Sequence, residues 1–188
     1  MDKLLLRAAM LGSVRELNEL AQQNTEILLG TTLRGSTCLH ISSDFGHQEF
    51  SMSVLAINQS LLSSINLDGE TPLIVAVRTG HVSLASAMLE MCHQLELSNM
   101  ILKPDNNGDN VLHHAIRNGH SDLALKLTAV GHGLSKGVNK YNESPLYIAV
   151  LSGLNDVSEK LLEILISSHV GINNRNALHA AVTKGNPG

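Results

Sequence analysis

The chain has 188 residues, of which 43% are hydrophobic but only 2% aromatic, and it carries 13 lysines and arginines against 17 aspartates and glutamates. A formal charge of -4 gives no electrostatic argument for nucleic acid, which would need a basic face, and the two cysteines, Cys38 and Cys92, argue for a reducing compartment rather than a disulfide framework. Abundant aliphatics without tryptophan suit thin helical layers packed through Leu, Ala and Val, not one deep core.

A short phrase returns six times along the chain, most completely as Thr71-Pro72-Leu73-Ile74-Val75-Ala76-Val77-Arg78-Thr79-Gly80-His81. Its glycines, Gly12, Gly46, Gly80, Gly119, Gly153 and Gly185, stand 34, 34, 39, 34 and 32 residues apart, a period in the range of stacked helical repeats. Register makes the signal specific: seven residues before the glycines stand Leu5, Leu39, Leu73, Leu112, Leu146 and Leu178, and four before stand Ala8, Ser42, Ala76, Ala115, Ala149 and Ala181. The expectation is one all-helical array over residues 1–188, with units at about 2–34, 35–67, 68–106, 107–140, 141–173 and a partial 174–188.

Each unit predicts a helix pair. Nine residues before the glycine, Thr37, Thr71, Asn110, Ser144 and Asn176 are N-cap residues; only Lys3 departs. Pro72 and Pro145 follow at the first helical position, where the missing N–H costs nothing. The first helix should run about nine residues, its Leu facing a neighbouring unit and its Ala or Ser keeping facing helices close, and the glycine should end it in a left-handed conformation. His47, His81 and His120 come next in three copies. A longer second helix shows apolar spacing in Leu84, Met88 and Leu89, and again in Val157, Leu161, Leu162 and Leu165.

Polar clusters close the units: Asn66-Leu67-Asp68-Gly69, Asp105-Asn106-Asn107-Gly108, Asn139-Lys140-Tyr141-Asn142 and Asn173-Asn174-Arg175. Such clusters favour tight turns and predict hairpin-like fingers projecting to one side. The 39-residue step inserts about five residues between Met91 and Asp105, expected as a longer second helix or a loop around Lys103-Pro104. Lys3, Leu5 and Ala8 already occupy motif positions, so no signal peptide is expected, and the apolar run from Leu161 to Ile166 is far short of the roughly 20 residues of a membrane span. At Gly185-Asn186-Pro187-Gly188 a second helix is due; residues 176–188 are therefore expected to hold by their first helix alone, with further repeats in a longer parent protein.

Thr-Pro-Leu-His followed by small residues and Gly-His resembles the ankyrin repeat, over residues 3–188. Leu39-His40, Leu112-His113 and Leu178-His179 keep the Leu-His pair, whereas Leu6, Ile74 and Tyr147 replace its histidine. The wording of Ser144-Pro145-Leu146-Tyr147-Ile148-Ala149-Val150 and Arg175-Asn176-Ala177-Leu178-His179-Ala180-Ala181-Val182 is further similar to plant ankyrin-repeat transmembrane proteins with a PGG-type membrane domain. The resemblance implies an all-α solenoid of five full repeats and a truncated sixth. It also implies a non-catalytic scaffold for binding another protein, serving as the cytosolic recognition region, at the plasma membrane's inner face, of a plant defence or stress signalling protein. The alternative it allows is an intramolecular module that regulates or tethers an attached channel-like or transporter-like membrane domain.

Candidate chemistry is sparse. Six of the ten histidines fall at repeat-equivalent positions, His40, His113 and His179 in one set and His47, His81 and His120 in another, which spreads them over layers instead of around one ion. Cys38 sits at a helix start, an environment that can lower a thiol's pKa, but nothing nearby reads as an oriented base. The Asp105–Asn110 run fails the calcium-loop pattern, with Asn110 where glycine is required and Ile116 where glutamate is required. No phosphate-cradling glycine motif occurs. No enzyme activity, cofactor or metal is expected, and neither nucleic acid nor the membrane itself is an expected partner of this segment.

What varies over the fixed scaffold is the candidate site. By the resemblance, a concave groove is lined by Ile41, Asp44 and Phe45, then Val75, Arg78 and Thr79, then His114, Arg117 and Asn118, then Ile148, Leu151 and Ser152. The fingers contribute Arg34, Asp68, Glu70, Asn107, Asp109, Lys140, Tyr141 and Arg175. Arg78 and Arg117 could pair an acidic partner, or both could simply be solvated, and Phe45 and Leu151 could anchor a partner or pack on adjoining repeats. As exposed residues, Arg78 and Arg117 should each cost only about 0.5 kcal/mol when replaced by Ala.

Overall fold

The computed structural model describes residues 1–130, 133–164, 167–183 and 185. Leu165 and Ile166, and the terminal residues 186–188 expected to follow the last helix, lie outside the described residues. Among the described residues there are twelve α-helices and no β-strand, with a single isolated bridge between Val170 and Asn176. The chain divides into two compact units, residues 1–100 and 101–188.

The first unit holds α1 (Lys3–Leu11), α2 (Val14–Gln23), α3 (Cys38–Phe45), α4 (Gln48–Ile57), α5 (Pro72–Arg78) and α6 (Val82–Gln94). The short α7 (Ser98–Leu102) crosses the division. The second unit holds α8 (Val111–Arg117), α9 (Ser121–Val130), α10 (Pro145–Ser152), α11 (Asn155–Glu163) and α12 (Ala177–Thr183). In the first unit α1, α3 and α5 pack in succession and each carries its own second helix; in the second unit α8, α10 and α12 pack in succession, and α8 and α10 carry α9 and α11.

The caps form as local chemistry requires. Thr37, Thr71, Asn110, Ser144 and Asn176 accept from the amides of His40, Ile74, His113, Tyr147 and His179. Where Lys3 broke the pattern, Asp2 caps α1 one residue earlier, accepting from Leu4 at 2.8 Å. The six motif glycines all have positive φ. At Gly46 (φ +74°) a Cβ would also stand 2.4 Å from the imidazole of His81, so neither the conformation nor the space admits a side chain.

Burial follows the register. Leu5, Leu39, Leu112 and Leu146 are 0% exposed and Leu73 is 2%, each worth about 1.5–3 kcal/mol relative to exposure. Ala8, Ala76, Ala115 and Ala149 are equally inaccessible and let facing helices approach; Ser42 does so with its hydroxyl 2.8 Å from that of Ser51. Leu178, at the same motif position in the sixth copy, is 67% exposed, because no second helix covers α12 among the described residues. The inserted residues are both a lengthened helix and an extra one: α6 runs thirteen residues, Glu96 turns the chain with φ +56°, and α7 follows.

Candidate interaction surface

The fingers are built by one recurring turn. The first residue's N–H donates to the carbonyl of the fifth in Thr32 to Ser36 (2.9 Å), Asn66 to Glu70 (3.1 Å), Asp105 to Asp109 (2.9 Å), Asn139 to Glu143 (3.1 Å) and Gly171 to Arg175 (2.9 Å). Within three of them the opening side chain locks the tip: Asn66 Oδ1 accepts from Asp68 and Glu70, Asp105 Oδ1 from Asn107 and Asp109, and Asn139 Oδ1 from Tyr141 and Glu143. Neighbouring fingers are tied by Leu67 N–H to Arg34 O at 2.9 Å in the first unit and by Lys140 N–H to Asn107 O at 2.8 Å in the second.

Histidines fasten each helix to the next finger. His40 Nε2 lies 3.0 Å from Glu70 O, and His113 Nε2 lies 3.2 Å from Glu143 O. Burial pushes both imidazoles below their ordinary pKa, against the opposing pull of Glu70 at His40 and Asp109 at His113. In the fifth copy Tyr147 takes the histidine's place and lies against Gly171, where a Cβ would be 2.1 Å from its ring. The second histidine set reaches back instead, His47 Nε2 to Met10 O at 2.9 Å and His81 Nε2 to Asp44 O at 3.0 Å. His120 Nε2 is buried without a hydrogen-bond partner among the described residues. His179 stays exposed, and its imidazole bonds its own cap, Asn176.

The two groove arginines are neither free nor merely solvated. Arg78 donates from Nε to Glu70 Oε1 at 2.8 Å and from Nη2 to Asp44 Oδ1 at 3.4 Å. Arg117 Nη2 lies 2.8 Å from Glu143 Oε2 and 3.4 Å from Asp109 Oδ1, and Asn139 Nδ2 donates to both of those carboxylates. Burial works against the Arg117 charge, but Glu143 and Asp109 outweigh it and hold the guanidinium above its ordinary pKa. Sequence reasoning placed Glu70 and Asp109 among outward contacts and overlooked Glu143 and Asn139. The signal was present: Glu70 and Arg78, like Asp109 and Arg117, are eight residues apart in the same register.

Of the other residues expected to line a groove, Val75, His114 and Ile148 are buried; Ile41, Thr79 and Leu151 are half-buried; Asp44, Asn118 and Ser152 are exposed. Phe45 is 48% exposed and stacks on His47 with ring centroids 6.0 Å apart. On the fingers Arg34 pairs with Asp68 at 3.3 Å, while Asn107, Lys140, Tyr141 and Arg175 are exposed. Two apolar tips went unnoticed in the sequence, Leu33 and Leu67, at one repeat position and 101% and 69% exposed. Leu33 borders an open cleft of about 600 Å³ with Leu6, Ile41 and Arg34.

Asp105, Asp109 and His114 bring three buried ligand atoms within 4.8 Å of one another. Each is already engaged, Asp105 Oδ2 by His114 Nε2 at 3.1 Å and Asp109 by Arg117 and Asn139, and the guanidinium opposes a second cation there. The helix start at Cys38 does not lower its thiol: burial pushes it up to about 12, and Cys92 to about 11.

A family model for ankyrin repeats matches in three overlapping copies, over residues 5–98, 52–138 and 88–170. The chain belongs to the ankyrin-repeat family. It is also 28% identical over 151 residues to a transient receptor potential cation channel subfamily A member 1 homolog of Caenorhabditis elegans; the match covers 80% of this chain but only 12% of that protein. Ankyrin repeats are protein-binding modules and typically non-enzymatic. No helix among the described residues is long and apolar enough to cross a membrane.

Proposed function

We propose that this chain is the recognition region of a larger protein and binds another polypeptide through its groove and fingers. The observation that carries this is the separation of two residue sets: the buried Leu and Ala positions recur from copy to copy, while exposed positions beside them change, as Leu11, Phe45, Asn118 and Ser152 do at one position and Leu67, Asn106 and Lys140 at another. A scaffold held by caps and histidine links loses little freedom on association, which favours affinity. The wording of the fifth and sixth repeats supports a place at the cytosolic face of a plant defence or stress signalling membrane protein. Affinity capture with the 1–188 chain and with a variant carrying Phe45→Ala and Tyr141→Ala tests the reading. The same partner should be held by the first and lost by the second without loss of helicity; equal capture by both would overturn it.

A second reading is favoured by the cation-channel relative, whose matched segment spans most of this chain. In it the repeats regulate or tether an attached membrane domain. Expressing the chain apart from any membrane segment separates the two, because an independent adaptor keeps its partner and an intramolecular regulator has none to capture.

A further inference from the structure

The arginine–carboxylate pairing of the third to fifth repeats does not continue into the sixth. The residue before each cap is Glu70, Asp109 and Glu143 in the third to fifth copies, and each of these carboxylates receives an internal guanidinium. In the sixth copy the same position is Arg175, and the groove position that holds Arg78 and Arg117 in earlier copies is Leu151 in the fifth. A cation thus stands where the third to fifth copies place a carboxylate paired to a guanidinium, and a half-buried aliphatic side chain takes the register position of that guanidinium. Arg175 and Lys140 are exposed and form no ion pair among the described residues.

The charge around them is one-sided. The second unit has seven acidic residues. Three of them, Asp105, Asp109 and Glu143, are buried and internally bonded, and the other four, Asp122, Asp156, Glu159 and Glu163, lie on α9 and α11. The outward charge of its fingers is therefore entirely positive, and Tyr141, 57% exposed, stands next to Lys140. Tyr and Arg are the side chains that most often dominate binding energy, and an unpaired guanidinium offers a planar fork to a carboxylate.

We infer that the finger edge formed by Lys140, Tyr141 and Arg175 binds an acidic segment of a partner polypeptide, one in which a Glu or Asp is flanked by an apolar residue that rests on Leu151. The inference rests on the protein-recognition reading above and names the chemistry of the partner. A carboxylate on Arg175 restores the charge pattern of the earlier rungs, and complementary potential speeds encounter and fixes register.

The test is panning of a random 12-residue display library against the 1–188 chain, followed by fluorescence polarisation of the enriched peptides. Enriched sequences should carry Asp or Glu beside an apolar residue. Lys140→Glu with Arg175→Glu should weaken them at least tenfold with unchanged circular dichroism, whereas Arg15→Glu, a charge reversal on α2 beside Glu19 and away from the fingers, should change affinity less than twofold. Raising NaCl from 50 to 300 mM should weaken binding of the parent chain and not of the reversed variant. Enriched peptides without acidic bias, or indifferent to the charge reversal, would overturn this inference and leave protein recognition standing. No enriched peptide at all would overturn both. Binding of phosphatidylserine vesicles or a 20-residue oligothymidylate, lost on reversal while acidic peptides fail, would reassign the edge to a membrane or nucleic acid and likewise overturn it.

Discussion

The fingers at residues 32–36 and 66–70 close with the same backbone hydrogen bond as those at 105–109 and 139–143, yet the two pairs face solvent with different chemistry. In the first unit the tips are leucines and the one cation of these two fingers, Arg34, is answered by Asp68 on the next finger. In the second unit the equivalent tips are Asn106 and Lys140, and the acidic side chains have turned inward to Arg117, His114 and backbone amides. The turn needs only an opening Thr, Asn or Asp, a closing carbonyl and a residue that tolerates positive φ, met by Gly35, Gly69, Gly108 and Asn142. Everything else at the tip is free to vary, so one scaffold supports a neutral apolar face and a basic one.

The comparison holds only if the two units share one construction beneath their surfaces. Leu39→Ala in the first and Leu112→Ala in the second should each cost about 2–5 kcal/mol in urea unfolding, because both leucines are fully buried and would leave cavities. A loss in only one unit would show that the shared register conceals different packing. A smaller effect should separate the arginines. Arg117→Ala strands two buried carboxylates and should cost roughly 1–2 kcal/mol, discounted from the full penalty because its side chain is 41% exposed. Arg78→Ala strands one carboxylate, Glu70, its other partner Asp44 being 47% exposed, and should cost less, about 1 kcal/mol. Equal losses, measured by the same unfolding, would erase the distinction.

Acidification should act on both units in the same direction. His40 and His113 have folded pKa values depressed by burial, so the unfolded chain takes up their protons first as pH falls below the ordinary histidine value of about 6.5. Their contribution is complete above that value and is lost progressively below it. Urea midpoints should fall between pH 7.5 and 5.5; a flat profile would mean that the imidazoles are not buried in the neutral form. The smallest expected effect is at Arg34, where Ala should change stability by no more than about 0.5 kcal/mol, since the ion pair with Asp68 is exposed on both sides. A larger loss in a melting curve would mean that the first unit's fingers depend on that pair.

Much of the scaffold was legible because it is local. A cap needs an acceptor side chain a fixed distance from the helix, and Thr37, Thr71, Asn110, Ser144 and Asn176 all supply it. The insertion was read as longer helix or loop, and the structure contains a lengthened α6 followed by α7. Side-chain exposure was harder to read. Val75, His114 and Ile148 share the groove position expected to face outward and are buried, because depth depends on what lies over a residue and not on its place in the motif. The thiol of Cys38 shows the same limit, since desolvation overrides the helix start.

By itself the sequence determined the helix pairs, their caps, the glycine turns and the leucines between layers, because each depends on residues within one period. Only the tertiary structure decided which charges remain available. Whether Arg78, Arg117 or Arg175 meets a carboxylate depends on side chains brought together from different fingers and helices. Electrostatic satisfaction is a property of distance in space, and sequence spacing fixes that distance only within a turn.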